Sequence, residues 1–300
     1  MKIVAAVVTY NRKELLARCI DHLQAQTRLP DQILIINNAS TDGTEEMLKE
    51  RGVFFITQEN LGSAGGWRRS IQYAIDENYD AVWLMDDDGY PHNDALAKLE
   101  AAWGEGVVCA SSVVLRDDKP THFVFPVPVL DKWGQPAIFA FPRKINTLAE
   151  LRELTPGGVY PYAHLFNGAL VSVPTARKIG NVNHNYFLSG DEVDYSCRLT
   201  AAGHVISVID AIQYHPDVSK RPFTPVKFYY YLKNTLILNS LYFKSVMLRN
   251  ILTIGVVLAR TANRNGLVEA FSYMCGPKAP VFYLAIARGL QGKIGKDFVG

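Results

Sequence analysis

Three adjacent carboxylates, Asp86-Asp87-Asp88, follow the apolar run Val82-Trp83-Leu84-Met85 and precede Gly89. Like charges this close repel by ~1 kcal/mol per pair in water, and by more in a cleft. A hard divalent cation relieves that repulsion, and carboxylate oxygens suit Mg2+ or Mn2+. Side chains alternate along an extended chain, so Asp86 and Asp88 can point the same way while Asp87 points elsewhere. An acidic turn closing a strand is the alternative; the apolar approach favours the metal. His215, at the end of Ile212-Gln213-Tyr214, would complete a set of two carboxylates and one imidazole.

Three further patterns carry chemistry. In the stretch Asn60-Leu61-Gly62-Ser63-Ala64-Gly65-Gly66-Trp67-Arg68-Arg69, residues 62–66 read as a glycine-rich loop that opens a helix. There the backbone can approach a ligand, and free N–H groups favour anions. Arg68 or Arg69 would add charge against a diphosphate. The spacing is not G-x-G-x-x-G, so a dinucleotide fingerprint is not supported, and a tight packing turn reads equally well. Thr9-Tyr10-Asn11 and Asn37-Asn38-Ala39-Ser40-Thr41-Asp42-Gly43 each follow a strand-like run. Amides and carboxylates there can read a pyrimidine edge and Tyr10 can stack on the ring, although turn and capping chemistry explains each piece alone. Gly190-Asp191-Glu192-Val193-Asp194-Tyr195 opens a helix. Its acids favour the helix dipole, or one of them is the base that deprotonates an acceptor hydroxyl.

The elements that must position these residues alternate in type. Residues 3–9 read as a buried strand, and 32–36, 53–57 and 81–85 as further strands. Helices are predicted over about 12–26, from 41 or 42, and from 67 to 77. This rhythm predicts an α/β fold with a mostly parallel sheet and helices on both faces. Ligands in such sheets bind beyond the carboxyl ends of strands, where the acids fall. Residues 120–142, rich in aromatic residues and proline, read as strands or loops, a β-ribbon among the options. A strand over 166–173, a helix over 191–202, and strands over 205–209 and 211–214 follow; from 226 to 260 the chain turns helical.

Composition bounds the answer. Three hundred residues, 48% apolar and 20% charged, suit one large α/β domain with an appendage or two small domains. Four scattered cysteines without a C-x-x-C pair argue against a zinc site or disulfide framework and fit a reducing compartment. The first apolar run is too short for a signal-peptide core, and no stretch reaches ~18 uncharged apolar residues, so no transmembrane helix is predicted. The net charge of +2 is unevenly spread. From Ser219 onward there are twelve lysines and arginines against two acids, a balance of +10, which leaves −8 for the first 218 residues. The basic region suits an anionic partner, with lipid headgroups and nucleic acid as candidates and a solvated helix face as the bland account. Leu232, Leu236, Phe243, Met247, Ile251, Ile254 and Leu258 follow helical spacing there, flanked by Lys233, Lys244, Arg249, Arg260 and Arg264. Such a stripe lies on an anionic membrane, or packs on the catalytic domain or a partner subunit.

Together these motifs resemble the family 2 glycosyltransferases of GT-A fold. The likeness begins with V-V-T-Y-N-R at 7–12 and N-N-A-S-T-D-G-T at 37–44. N-L-G-S-A-G-G-W followed by W-L-M-D-D-D-G is similar to the galactofuranosyltransferase and rhamnosyltransferase branch, as is G-D-E-V-D-Y-S-C-R-L with a later His before Pro216. The resemblance implies that Asp86, Asp88 and His215 hold Mn2+ or Mg2+ and that Asp191 is the catalytic base. It places Thr9, Tyr10 and Asn38 around the nucleoside, Arg12 near the diphosphate, and Asn60, Gly65, Gly66, Arg68 and Asp87 also on the donor side. Glu192 and Asp194 would bind acceptor hydroxyls or position the base. Gly190 stands where polymerising galactofuranosyltransferases have Trp.

The expectation is thus an inverting transfer from UDP-galactofuranose, or from dTDP-rhamnose, to a glycan or lipid-linked glycan in cell-surface polysaccharide synthesis. The expected GT-A domain covers residues 1–218, with a nucleotide-sugar part to about 115 and an acceptor part beyond it. A basic helical region covers 219–300, suited to an anionic membrane surface or to homo-oligomer contacts. The expected place is cytoplasmic, peripheral on the inner face of the cell membrane, with no nucleic-acid partner. A sugar nucleotidyltransferase and a catalytically inactive sugar-binding subunit are the rival readings.

Overall fold

The computed structural model describes residues 1–219 and 221–298. Lys220, Val299 and Gly300, which belong to the expected basic region, lie outside the described residues. The chain divides into two units. One comprises residues 1–182 and 195–217, the other residues 183–194 and 218–300.

The first unit holds the sheet. Strands β1 (Ile3–Thr9), β2 (Gln32–Asn37), β3 (Phe54–Thr57) and β4 (Ala81–Asp86) alternate with helices α1 (Lys13–Gln24), α2 (Thr44–Glu50) and α3 (Gly62–Asp76). Then come β5 (Tyr90–Pro91), α4 (Ala95–Ala101), β6 (Val107–Arg116), β7 (His122–Pro128), β8 (Lys144–Thr147) and α5 (Leu148–Leu154). The chain continues through β9 (Val159–Tyr160), β10 (Asn167–Ser172), α6 (Val173–Ile179), α7 (Asp191–Ala202) and β11 (His204–His215). The strand order is β3-β2-β1-β4-β10-β6-β11-β5. Strands β1 to β4 pair in parallel, as does β11 with β6, while β10 runs antiparallel between β4 and β6. Strands β7 and β8 form the ribbon, which branches from β6.

Strand β1 shows why the sheet is covered on both faces. All seven of its residues are buried. Val4, Ala6 and Val8 share a core with Trp67, Ile71 and Ala74 of α3. Ile3, Ala5 and Val7 share the opposite core with Leu16, Cys19, Ile20 and Leu23 of α1. That is period two on the strand meeting the i, i+3, i+4, i+7 stripe of a helix. Each such aliphatic side chain stabilises the fold by roughly 1.5–3 kcal/mol when fully buried.

Two elements differ from expectation. The glycine-rich segment is not a loop before α3 but its first turns, with Gly65 and Gly66 buried. A Cβ at Gly66 would lie 2.4 Å from Val8 Cγ1, so glycine is what lets α3 approach β1 this closely. The two short strands expected over 205–214 are one strand, β11, which shifts register against β6 between Val208 and Ile212.

The second unit holds α8 (Pro225–Tyr242), α9 (Val246–Asn265), α10 (Leu267–Cys275) and α11 (Ala279–Leu290). The long helical stretch breaks at Phe243–Ser245, where Phe243 is extended and Ser245 is left-handed with φ of 58°. The apolar stripe divides accordingly. Leu232 and Leu236 are buried in the core with Phe228 and Tyr273, while Met247 and Ile251 stay exposed. Lys233 is not a flanking charge. It is fully buried, and its ammonium donates to Asp297 Oδ1 at 2.6 Å and to the Gly295 carbonyl at 2.9 Å.

Replacing Gly66 by Ala should cost ~1–3 kcal/mol through overpacking against Val8. Thermal melts will show a lowered Tm, and most of that loss should vanish when Gly66→Ala is made in a Val8→Ala background.

Candidate metal centre and nucleotide site

The acids end β4 beside β1, where the strand order reverses: the chain runs outward from β1 to β3 and then returns to β4 on the other side of β1. Such a switch point opens a crevice at the carboxyl ends of the strands. The other half of the centre comes from β11. Tyr214 pairs with Tyr90 and Gln213 with Pro91 across the antiparallel β5–β11 clip. That register carries His215 to the turn holding Asp88. Asp86, Asp88 and His215 each offer a ligand atom within 4.8 Å of the others, and His215 Nε2 lies 3.0 Å from Asp88 Oδ1. Among the described residues no second group of three acids, histidines or cysteines converges in this way.

The donor set fits a divalent cation. His215 Nδ1 sits 2.7 Å from the Pro216 carbonyl oxygen, which can only accept, so Nδ1 carries the proton. The Nε2 lone pair of a neutral ring then faces a carboxylate oxygen, and two electron-rich atoms at that distance need a proton or a cation between them. Burial, and after it the charges of Asp88 and Asp87, push the Asp86 carboxyl well above its usual range. Burial works against a charged His215, yet the hydrogen bond and charge of Asp88 outweigh it and raise the imidazole pKa.

Asp87 points elsewhere, as alternation requires. Its Oδ2 accepts from Thr9 Oγ1 at 2.8 Å and its Oδ1 from Arg12 Nη1 at 2.9 Å. Burial leads in raising its pKa, against the pull of Arg12. The same Arg12 nitrogen lies 2.9 Å from Asp88 Oδ2, so one guanidinium ties the two acids together. Arg18 was not singled out from sequence. It donates to the Asp88 carbonyl at 3.0 Å, and its guanidinium stacks over Tyr90 at 4.3 Å. A basic residue on α1, one strand-end away from the acids, was the only signal that pointed to it.

Around the centre, Tyr10 is 47% exposed at the end of β1, a free ring face suited to stacking. Asn38 is buried, accepts from Gln58 Nε2 at 2.8 Å and donates to the Gly62 carbonyl at 3.4 Å. Asn60 Oδ1 receives the Gly62 N–H at 3.0 Å. Asn11 joins the two loops: its N–H donates to Ser40 Oγ and its Oδ1 accepts from Thr41 N. Arg68 is exposed and its guanidinium donates to the Val182 carbonyl at 3.4 Å.

In the second unit, Asp191 opens α7 and is 6% exposed. Burial raises its pKa to about 6, with Asp194 adding to the rise and backbone N–H bonds from Asp191 and Glu192 opposing it. Asp194 is also buried and accepts the Tyr242 hydroxyl at 2.6 Å. The preceding loop is held by Asn234 of α8, whose Nδ2 donates to the carbonyls of Tyr186, Leu188 and Ser189 at 3.0, 3.1 and 2.6 Å. Gly190 has φ of 108°, and a Cβ there would lie 3.0 Å from Asn234 and Tyr186, which accounts for glycine at this position.

Known proteins agree with this architecture. Residues 5–156 match glycosyl transferase family 2. The galactofuranosyltransferase GlfT1 of Mycobacterium tuberculosis is 33% identical over 222 residues, 71% of this chain and 70% of its own. The N-acetylglucosaminyl-diphospho-decaprenol L-rhamnosyltransferase of the same organism is 27% identical over 65% of this chain and 69% of its own. In fold, the chain is similar to the mannosyltransferase PcManGT of Pyrobaculum calidifontis, solved with GDP-Man and Mn2+, at a TM-score of 0.57 and 16% identity, covering 96% and 80% of the two chains. S. aureus TarS with UDP gives a TM-score of 0.60 at 14% identity, covering 97% and 81%. The chain belongs to glycosyl transferase family 2, in its galactofuranosyltransferase- and rhamnosyltransferase-like branch, and is a glycosyltransferase of GT-A fold.

Proposed function

We propose that the protein transfers galactofuranose from UDP-galactofuranose to a glycan acceptor with inversion at the sugar carbon. The convergence of Asp86, Asp88 and His215 carries the reading, because it supplies a hard-cation site at the crevice where a nucleotide diphosphate would lie. The GlfT1 likeness supports the donor. The rhamnosyltransferase relative supports dTDP-rhamnose as the second donor, and the diphospho-decaprenol in its name supports a lipid-linked acceptor for a cell-surface polysaccharide.

Mn2+ or Mg2+ held by Asp86, Asp88 and His215 would neutralise charge on the departing nucleoside diphosphate. Tyr10 stacks on the pyrimidine, and Thr9 and Asn38 line its pocket. Arg12 keeps Asp87 and Asp88 oriented and sits near the diphosphate. Asn60, Gly65 and Gly66 shape the start of α3 toward the donor, and Arg68 adds charge on that side. Asp191 accepts the proton of the attacking hydroxyl as the new glycosidic bond forms and the bond to the diphosphate oxygen breaks. Glu192 and Asp194 hold acceptor hydroxyls or position the base. A proton acceptor in this role contributes ~10²–10⁴-fold.

A screen of nucleotide-sugar donors for nucleoside diphosphate release tests the reading; release from neither UDP-galactofuranose nor dTDP-rhamnose sinks it. In the same assay Asp191→Asn should keep UDP binding and lose ~10²–10⁴-fold in turnover. Because the folded pKa is raised to about 6, the base is protonated below that value, so kcat should climb between roughly pH 5 and 7. The stability sign is opposite: folding favours the neutral carboxyl, so its stabilising effect is present below the unfolded pKa and is lost as pH rises through about 6. Asp191→Asn should therefore raise stability at pH 7 by on the order of 1–3 kcal/mol, seen as a higher Tm, and not at pH 4. Calorimetric titration with Mn2+ should show Asp88→Asn and His215→Ala losing more affinity than the roughly 10–100-fold typical of an outer-shell partner.

The C-terminal helices support a peripheral place on an anionic membrane. Helices α8, α9 and α11 carry cations and no carboxylate, and Leu267, Val268 and Phe271 of α10 are 80%, 86% and 60% exposed. No helix among the described residues is long and apolar enough to cross a membrane. Val268→Ser with Phe271→Ser should weaken sedimentation with phosphatidylglycerol vesicles. Unchanged vesicle binding with loss of self-association would assign this face to a second copy instead.

A further inference from the structure

The ribbon of the sheet-bearing unit ends in a tip, residues 129–143, that none of the chemistry above uses. Backbone bonds fix its course: Val129 N donates to the Arg143 carbonyl at 3.0 Å and Ala137 N to the Val129 carbonyl at 2.8 Å. Asp131 closes the turn by accepting from the N–H groups of Trp133 and Gln135 at 2.9 and 3.0 Å. What the tip then displays is apolar. Phe141 is 101% exposed, Phe139 87% and Trp133 55%. The segment Pro136-Ala137-Ile138-Phe139-Ala140-Phe141-Pro142 has no polar side chain.

Two phenylalanines at i and i+2, one 87% and one fully exposed, leave apolar surface in water that folding has not buried. A glycan platform would set acceptors as well as donors beside the rings to hold sugar hydroxyls; the side chains of 136–142 supply neither, and the flanking Lys132, Arg143 and Lys144 only donate. Its rim is cationic. Lys132, Arg143 and Lys144 are exposed, with Lys132 Nζ 4.8 Å from the Trp133 ring centre. The one acid between residues 128 and 144, Asp131, is engaged by the turn. Phenylalanines that enter the acyl region, a tryptophan suited to the headgroup level and a cationic collar are the combination an anionic bilayer surface accepts.

We propose that this ribbon tip is a membrane-insertion loop, in which Phe139 and Phe141 enter an anionic lipid surface beneath Trp133, Lys132, Arg143 and Lys144. It belongs to the catalytic unit and does not rest on the reading of the C-terminal helices or on the donor.

Trp133 reports on the tip directly, because Trp67 and Trp83 are buried and Trp103 is half-buried. The full-length protein is titrated with vesicles of equimolar phosphatidylcholine and phosphatidylglycerol, some carrying brominated acyl chains. Emission should shift to the blue and be quenched by the brominated lipid, and a Trp133→Phe chain should lose both signals. Phe139→Ser with Phe141→Ser should abolish the shift and lower vesicle affinity by at least ~10-fold. Both side chains are exposed, so Tm should not move. Arg143→Glu with Lys144→Glu should weaken binding to these vesicles and not to pure phosphatidylcholine. An unshifted Trp133 spectrum, or equal affinity in the double serine variant, overturns the proposal. Protection of Trp133 by a soluble oligosaccharide but not by vesicles would overturn it in favour of a glycan surface. Donor turnover is not the readout, so a wrong sugar assignment leaves this test intact.

Discussion

Three carboxylates at the end of a buried strand repel one another, and much of the local architecture answers that repulsion. At an effective dielectric near 20, two unit charges 4 Å apart cost about 4 kcal/mol, a large share of a typical domain's stability. The chain distributes the cost. Asp87 is turned toward Thr9 and Arg12, and the same guanidinium bridges to Asp88. Asp86 is left facing Asp88 and His215 with a strong bias toward neutralisation. A site so arranged favours whatever brings positive charge to it, and a divalent ion brings more than a proton does.

That constraint explains the sheet's second half. Strand β11 must deliver an imidazole to acids more than a hundred residues earlier in the chain, and a parallel ladder with β6 alone would not fix its reach. The two-residue clip with β5 does, because Tyr90 and Pro91 follow the acids directly and pair with Tyr214 and Gln213. Arg18 adds a second hold by donating to the Asp88 carbonyl while its guanidinium rests on Tyr90. The candidate ligands, the turn and the strand end are therefore positioned by backbone pairing first and by side-chain charge second.

What could be read from sequence follows from the range of the forces involved. The alternation of Asp86, Asp87 and Asp88 and the amphipathic stripe of α1 are local patterns, and both are found in the fold. Asp210 looked like a break between two strands. In the fold it is an exposed bulge residue of β11, paired with Arg152 at 2.9 Å, and only the partner strand reveals that. The glycines of α3 read as a loop before the helix, and in the fold they are its first turns, with Gly66 packed close against Val8. Lys233 looked like a flanking charge because its partner Asp297 stands 64 residues later. Each miss concerns a residue whose conformation is decided by something distant in the chain.

Asp86 and Asp191 are both carboxylates raised by burial, yet their surroundings differ in kind. Around Asp86 stand two acids, an imidazole and a guanidinium, so its charge is tuned by neighbours that a cation can join. Around Asp191 the acting groups among the described residues are its own and Glu192's backbone N–H and the carboxylate of Asp194. A carboxylate paired to arginine would be too weakly basic to take a hydroxyl proton. One held near pH 6 by burial is basic enough and still ionised at neutral pH. Asn234 ties down the loop that leads into α7 by donating to the carbonyls of Tyr186, Leu188 and Ser189 just before Gly190. Environment rather than residue type thus separates the acids suited to holding a cation from the acid suited to moving a proton.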